Sequence, residues 1–167
     1  MLTELYWIDG PWPGRLAVAP RPRGGDWLED EIRTWEQAGV HAVGSLLTAE
    51  EVVDLGLERE PEFCEAAGIA FLSLPIVDRW IPSSDADAAR FLSAVHSELN
   101  HGKNVVVHCR QGIGRAGLIA AGLLVESGDS PEEALRRVSA ARGVSVPETA
   151  EQRSWIDSFA ATVGHKS

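Results

Sequence analysis

An α/β fold, with helices packed on a central sheet, is predicted by three features of this 167-residue chain. Short apolar stretches with strand character alternate with stretches whose apolar residues recur at helical spacing. Asn104 to His108 is almost wholly apolar, which is how a strand covered on both faces reads. It is followed by two glycines and then by Arg115 to Glu126, an apolar helix that must lie against that strand.

Taken in order, Leu5 to Ile8 and Leu16 to Ala19 read as two strands joined by the turn Gly10-Pro11-Trp12-Pro13-Gly14, a hairpin-like pair. Asp26 suits the cap of a helix carrying Leu28, Ile32 and Trp35 on one face, with Gly39 as its stop. Val40 to Leu47 reads as a core strand, Thr48 as the cap of a short helix through Leu55, and Pro61 to Gly68 as a further helical turn or two. Ile69 to Ile76 is the next strand. Asp85 to Leu99 is a helix with Ala88, Phe91, Leu92, Val95 and Leu99 on one face. Pro131 opens another helix at its favoured first-turn position, and a last helix carries Trp155, Ile156, Phe159 and Val163.

Composition bounds the function. With 44% hydrophobic and 24% charged residues the chain suits one globular domain spanning residues 1–167. The first twenty residues lack the pattern of a signal peptide, and no apolar run is long enough to cross a bilayer. Only two cysteines are present, Cys64 and Cys109, too few for a disulfide framework. These features predict a cytoplasmic protein and a monomer. A formal charge of −10 opposes nucleic acid and anionic membranes as partners, since both are bound through clustered Lys and Arg. The pairs Arg21 with Arg23 and Arg136 with Arg137 read as solvated surface.

The chemistry is concentrated in His108-Cys109-Arg110-Gln111-Gly112-Ile113-Gly114-Arg115. A thiol ends the buried strand and an arginine starts the buried helix. Between them, backbone N–H groups of a glycine-permitted loop can converge on an anion, and the helix adds the positive end of its dipole. Arg115 can grip two phosphoryl oxygens through its planar fork. The same field favours Cys109 as the thiolate, the form that attacks phosphorus. The loop residues Arg110, Gln111, Gly112, Ile113, Gly114 and Arg115 are therefore predicted to bind substrate. An acid is needed as well. Asp78, 31 positions upstream at the C-terminal end of a different predicted strand, is placed to protonate a leaving oxygen and then to activate water. Asp85 and Asp87 fit better as first-turn acids of their own helix.

His108-Cys109, five intervening residues and Arg115, with Pro75-Ile76-Val77-Asp78 upstream, resemble the signature loop and acid loop of the protein tyrosine phosphatase superfamily. The resemblance is to its dual-specificity type, including the cyclin-dependent-kinase-associated phosphatases and their bacterial relatives, and it covers residues 40 to 160. It implies a mostly parallel sheet of four to five strands flanked by helices, no metal and no other cofactor, and a phosphorylated protein or small phosphomonoester as substrate. It also implies a cysteinyl-phosphate intermediate, with Gln152 placing water in the second step. An exposed helical glutamine is the plain alternative for Gln152. Ala116 departs from the pattern: the family usually has Ser or Thr after the arginine, whose hydroxyl hydrogen-bonds the sulfur, so breakdown of the intermediate should suffer.

His108 is expected to orient the loop through hydrogen bonds. Arg142, beside Gly143 at a helix end, is accounted for by the dipole, the alternative being a residue that supports the site. Cys64 reads as a core residue, the alternative being a protective disulfide with oxidised Cys109. Trp80 is a candidate wall of the pocket. Beside the phosphoprotein reading stand two alternatives, a phosphoinositide or small-molecule phosphatase and a slow or non-catalytic phosphate-binding module. Arg110 as the one basic variable residue of the loop speaks against lipid substrates.

Overall fold

The computed structural model describes residues 4–164. Five strands form one sheet: β1 (Tyr6–Ile8), β2 (Leu16–Pro20), β3 (Ala42–Ser45), β4 (Ala70–Ser73) and β5 (Val105–Cys109), in the spatial order β1-β2-β5-β3-β4. Only β1 runs antiparallel, pairing Tyr6 with Val18 and Ile8 with Leu16. The predicted mostly parallel sheet is therefore observed, with the N-terminal hairpin as its one antiparallel edge. The central strand is β5, in register with β2 from Leu16–Val105 to Pro20–Cys109 and with β3 from Ala42–Val105 to Ser45–His108. Its five residues are all buried, as its run of valines requires of a strand covered on both faces.

Among the described residues seven α-helices cover the sheet: α1 (Leu28–Gln37), α2 (Ala49–Asp54), α3 (Glu60–Ala66), α4 (Asp85–Asn100), α5 (Gly114–Glu126), α6 (Pro131–Arg142) and α7 (Ala150–Gly164). Strand alternation divides the core. Leu16, Val18, Val105, Val107 and Cys109 face one layer with α4, α5, α6 and α7, while Ala17, Ala19, Val43 and Val106 face the other with α1 and α3. Helix α5 is buried from Gly114 to Val125, so it has no solvent face and its sequence carries no polar stripe.

Several boundaries differ from the expectations. Asp26 does not cap α1; it lies in a 3-10 turn, Gly25–Trp27, that leads into the helix, and Trp27 occupies the cap position without a side-chain bond. The strand expected over 69–76 ends at Ser73. Beyond it Leu74 and Ile76 still donate their N–H groups to the carbonyls of Ser45 and Leu46, which carries the chain along the end of β3 towards β5. Asp78 thus stands on a loop beyond the strand rather than at its end. Thr48, Ser84 and Ser130 accept from the N–H groups of Glu51, Asp87 and Glu133 and cap their helices. Among the described residues no helix is long and apolar enough to cross a membrane.

Candidate active site

The loop from Cys109 to Arg115 spans the C-terminal end of β5 and the first turn of α5, at the rim where parallel strands of an α/β sheet point. Gly112 has φ 73°, and a Cβ there would lie 2.4 Å from the backbone of Ala19. Only glycine allows so close an approach between the loop and the end of β2. The loop's carbonyls are drawn outward. That of Arg110 accepts from the N–H of Arg21 at 3.3 Å. Those of Gln111 and Gly112 accept from Arg142 Nη2 and Nε, both at 3.1 Å. Because a trans peptide sets its N–H opposite its C=O, the N–H groups of Gln111, Gly112 and Ile113 turn the other way, into the loop, as an anion nest requires.

Arg142 therefore holds the loop from behind, which helix-end electrostatics alone does not describe. Its guanidinium also lies over the Tyr6 ring, 4.1 Å from the centroid, so β1 and α6 fix it together.

Arg115 is almost fully buried, and its donors are distributed in a definite way. Nη1 donates to Glu51 Oε1 at 2.7 Å and to the Ile76 carbonyl at 2.8 Å. Nη2 donates to Glu51 Oε2 at 3.0 Å and lies 3.2 Å from Asp78 Oδ1. Nε has no hydrogen-bond partner among the described residues. An arriving phosphoryl group can take Nε and the Nη2 hydrogen that faces Asp78, while Glu51 keeps the other side of the fork. Burial alone would discourage the charge on Arg115, but Glu51, Cys109 and Asp78 together raise its pKa above the ordinary value. Burial likewise opposes ionisation of Glu51, and is outweighed by Arg115 and by the bonds from Thr48, so its pKa is lowered.

Cys109 lies at the base of a cavity of about 80 Å³ lined also by Asp78, Arg79, Gln111 and Glu148. Arg79 holds a left-handed φ of 64°, uncommon for a residue with a Cβ, and its guanidinium is 3.6 Å from Glu148 across the mouth. Arg110, exposed, is 3.6 Å from Glu51. Gly114 lies beneath the Glu148 carboxylate, which a Cβ there would strike. Among the described residues no cluster of His, Cys, Asp and Glu is arranged to hold a metal ion.

Other expected roles are altered. The Gln152 amide is committed: Oε1 accepts from the N–H groups of Glu148 at 3.0 Å and Thr149 at 3.3 Å, and Nε2 donates to the Trp80 carbonyl at 3.1 Å. It is buried rather than exposed, and it ties the acid loop to the segment before α7 instead of presenting a free group to water. His108 does not bond the loop. Its Nε2 lies 2.6 Å from Glu60 Oε2 on α3, a wholly buried pair, so it anchors the end of β5 to the opposite helical layer. The half-exposed Trp80 does not line the cavity. Cys64 cannot reach Cys109, because the two thiols lie in layers on opposite faces of the sheet. Burial pushes the Cys64 thiol up to about 12, which leaves it unreactive.

Sequence reading missed Glu51, Glu60 and Glu148. Glu51 carried one signal, since Thr48-x-x-Glu51 is a capping box; its second role towards Arg115 depends on a contact across 64 positions.

A thiol, a buried arginine and a loop acid gathered at a strand-loop-helix junction define the architecture of a cysteine-dependent phosphatase. Residues 18–129 match the Tc-R-P family model, described as the DSP-PTPase phosphatase of polymorphic toxin systems, and the chain belongs to this dual-specificity and protein tyrosine phosphatase family. It is 25% identical over 158 residues to protein 197R of Invertebrate iridescent virus 6, named for a tyrosine phosphatase, covering 92% of this chain and 56% of that protein. Over 89 residues it is 42% identical to PTEN1 of Arabidopsis thaliana, a phosphatidylinositol 3,4,5-trisphosphate 3-phosphatase and protein-tyrosine-phosphatase, covering 49% of this chain and 21% of that protein. The chain thus spans little more than half the length of one curated relative and about a fifth of the other. The structure of kinase associated phosphatase superposes with a TM-score of 0.88 at 18% identity, covering 98% of this chain and 97% of that one. The likeness extends to the fold.

Proposed function

We propose that the chain hydrolyses phosphomonoesters of proteins, on tyrosine and on shorter phosphorylated side chains, through a cysteinyl-phosphate. The observation that carries this reading is the placement of Asp78 Oδ1 3.2 Å from Arg115 Nη2 above the cavity that Cys109 lines. In the first step the Cys109 thiolate attacks phosphorus and the bond to the leaving oxygen breaks as Asp78 gives that oxygen its proton. The inward N–H groups and Arg115 hold the three equatorial oxygens throughout. In the second step water attacks the same phosphorus, Asp78 takes its proton, and the P–S bond breaks to release inorganic phosphate and restore the thiolate. Two free thiols suit a reducing compartment, the cytoplasm.

Turnover of an aryl phosphate by wild type, Cys109→Ser and Asp78→Asn tests the scheme. Rapid mixing should show a burst of phenol from wild type and none from Cys109→Ser. Asp78→Asn should lose more activity on poor leaving groups, such as alkyl phosphates, than on nitrophenyl phosphate, because a good leaving group needs less protonation. No turnover above the Cys109→Ser control, together with retained phosphopeptide binding, would leave a binding module instead.

A further inference from the structure

The catalytic cavity, at about 80 Å³, encloses little more than a phosphoryl group, so affinity for a whole substrate must come from surface around it. Next to it lies a groove of about 670 Å³ between the first turns of α4 and the length of α7, well within the size range of ligand pockets. The same two segments contribute to both: Asp78 and Arg79 line the cavity and Ile81 the groove, and Glu148 lines the cavity while Ala150 and Glu151 line the groove. The floor is apolar, built from Ile81, Ala88, Trp155 and Phe159, with the last two rings stacked at 5.2 Å. Val77 and Trp80, flanking Asp78 on the acid loop, are exposed by 64% and 48%, which adds apolar side chains to the segment that contributes to both cavity and groove.

Charge selects the occupant. Asp85 and Glu151 stand at the groove end nearest the acid loop. Neither has an ion-pair partner among the described residues, whereas neighbouring Asp87 pairs with Arg90, and Glu132 and Asp157 pair with Arg153. Their first-turn positions suit the helix dipoles, but that does not require both to line one groove. Two uncompensated carboxylates beside an apolar floor, on a chain of formal charge −10, repel an anionic bilayer or a polyphosphorylated headgroup and attract a cation.

We infer that this groove takes the segment flanking the phosphorylated residue of a protein substrate, one that carries a Lys or Arg close to the phosphoresidue and a large apolar side chain beyond it. The basic group meets Asp85 and Glu151, and the apolar one lies against Trp155 and Phe159. The inference rests on the phosphatase reading for its setting, and the test separates the two.

Four phosphotyrosine peptides, with Arg-plus-Leu or Glu-plus-Ala on either flank, are compared with nitrophenyl phosphate on wild type, Ala89→Arg and Ser158→Arg. Both substituted positions are exposed and line the groove, away from the chemistry. Wild type should prefer an Arg/Leu peptide by about tenfold in kcat/KM, through KM, a difference of about 1.4 kcal/mol. Each Arg variant should erase that preference while hydrolysing nitrophenyl phosphate at the wild-type rate. Equal rates for all four peptides, or a preference that survives both variants, would overturn the inference. So would faster turnover of a phosphoinositide in phosphatidylcholine vesicles that the Arg variants abolish while the peptides are unaffected, which would assign the groove to acyl chains. If nitrophenyl phosphate is not hydrolysed above the Cys109→Ser background, the phosphatase reading fails separately. Fluorescence anisotropy of the same peptides on Cys109→Ser, with and without Ala89→Arg, then decides the groove: tighter Arg/Leu binding lost in the double variant upholds it, and equal binding overturns it.

Discussion

Arg115 donates to both carboxylate oxygens of Glu51, at 2.7 and 3.0 Å, and the two residues come from α5 and α2 on different sides of β3. Glu51 closes the capping box of α2 with Thr48 and so is held before it meets the arginine. Its hold fixes the guanidinium plane, leaving Nε and one edge of Nη2 to face an incoming anion. Glu51→Gln keeps the shape and removes the charge. We expect kcat/KM on an aryl phosphate to fall by about 10- to 100-fold, in line with the cost of misplacing a positioning group, with Cys109 still alkylated by iodoacetamide. Breaking a buried ion pair costs about 3 kcal/mol, so urea unfolding should show a lower midpoint at unchanged slope.

The pH dependence of that loss is also defined. The Glu51 carboxyl has a folded pKa below its ordinary 4.5, so it stabilises the fold fully above that value. The contribution disappears as pH falls through the folded pKa. Wild type should exceed Glu51→Gln in urea midpoint at pH 7, and the gap should narrow as acid is added below about pH 4.5. A gap that stays constant down to pH 3 would show that the pair adds nothing through its charge.

Arg142 tests the loop from behind. Its bonds to the Gln111 and Gly112 carbonyls orient peptides whose N–H groups face the anion, and it touches no substrate itself. Arg142→Gln should weaken competitive inhibition by inorganic phosphate and by vanadate by about fivefold, the scale of one lost hydrogen bond of about 1 kcal/mol. KM should rise more than kcat falls. Arg142→Lys keeps a cation at the helix end but loses the planar fork, so rescue by Lys would return the residue to a dipole role.

The buried His108–Glu60 pair, 2.6 Å apart, joins β5 to α3 on the face away from the substrate. Glu60→Ala leaves a buried imidazole unpaired and should lower stability by about 2 kcal/mol, read as a urea midpoint. The KM for aryl phosphate should remain close to wild type, because the pair lies on the other side of the strand from Cys109.

The layers, the hairpin, the central strand and the loop were legible because each rests on local pattern: valine runs, helical spacing, glycines and a fixed Cys-to-Arg interval. What was not legible depends on contacts distant in sequence. Glu51 and Glu60 stand in the first turns of α2 and α3, where local pattern ties neither to a distant partner, and only the packing of those helices brings them to Arg115 and His108. Gln152 shows the converse. Its position suited water placement by resemblance, but the acid loop offers the Trp80 carbonyl and the turn before α7 offers two N–H groups, and these take the amide. Asp78 was placed by its chemistry, while the five-residue excursion beyond β4 that delivers it to Arg115 has no periodic signature.

Ala116 tests the second step of the proposed scheme. It is fully buried directly after Arg115 in the first turn of α5, the position at which the family resemblance implies a hydroxyl that bonds the sulfur. In the proposed scheme a donor to sulfur would stabilise the thiolate as it leaves phosphorus, so its absence is expected to slow hydrolysis of the cysteinyl-phosphate more than its formation. Ala116→Ser adds one oxygen, and one such donor is worth about 1–2 kcal/mol where it meets developing charge. We expect steady-state kcat on nitrophenyl phosphate to rise about fivefold while the burst rate changes little and the burst amplitude shrinks. If Ala116→Ser instead accelerates the burst and the steady state together, the first step limits turnover, and the alanine is not what holds the enzyme back.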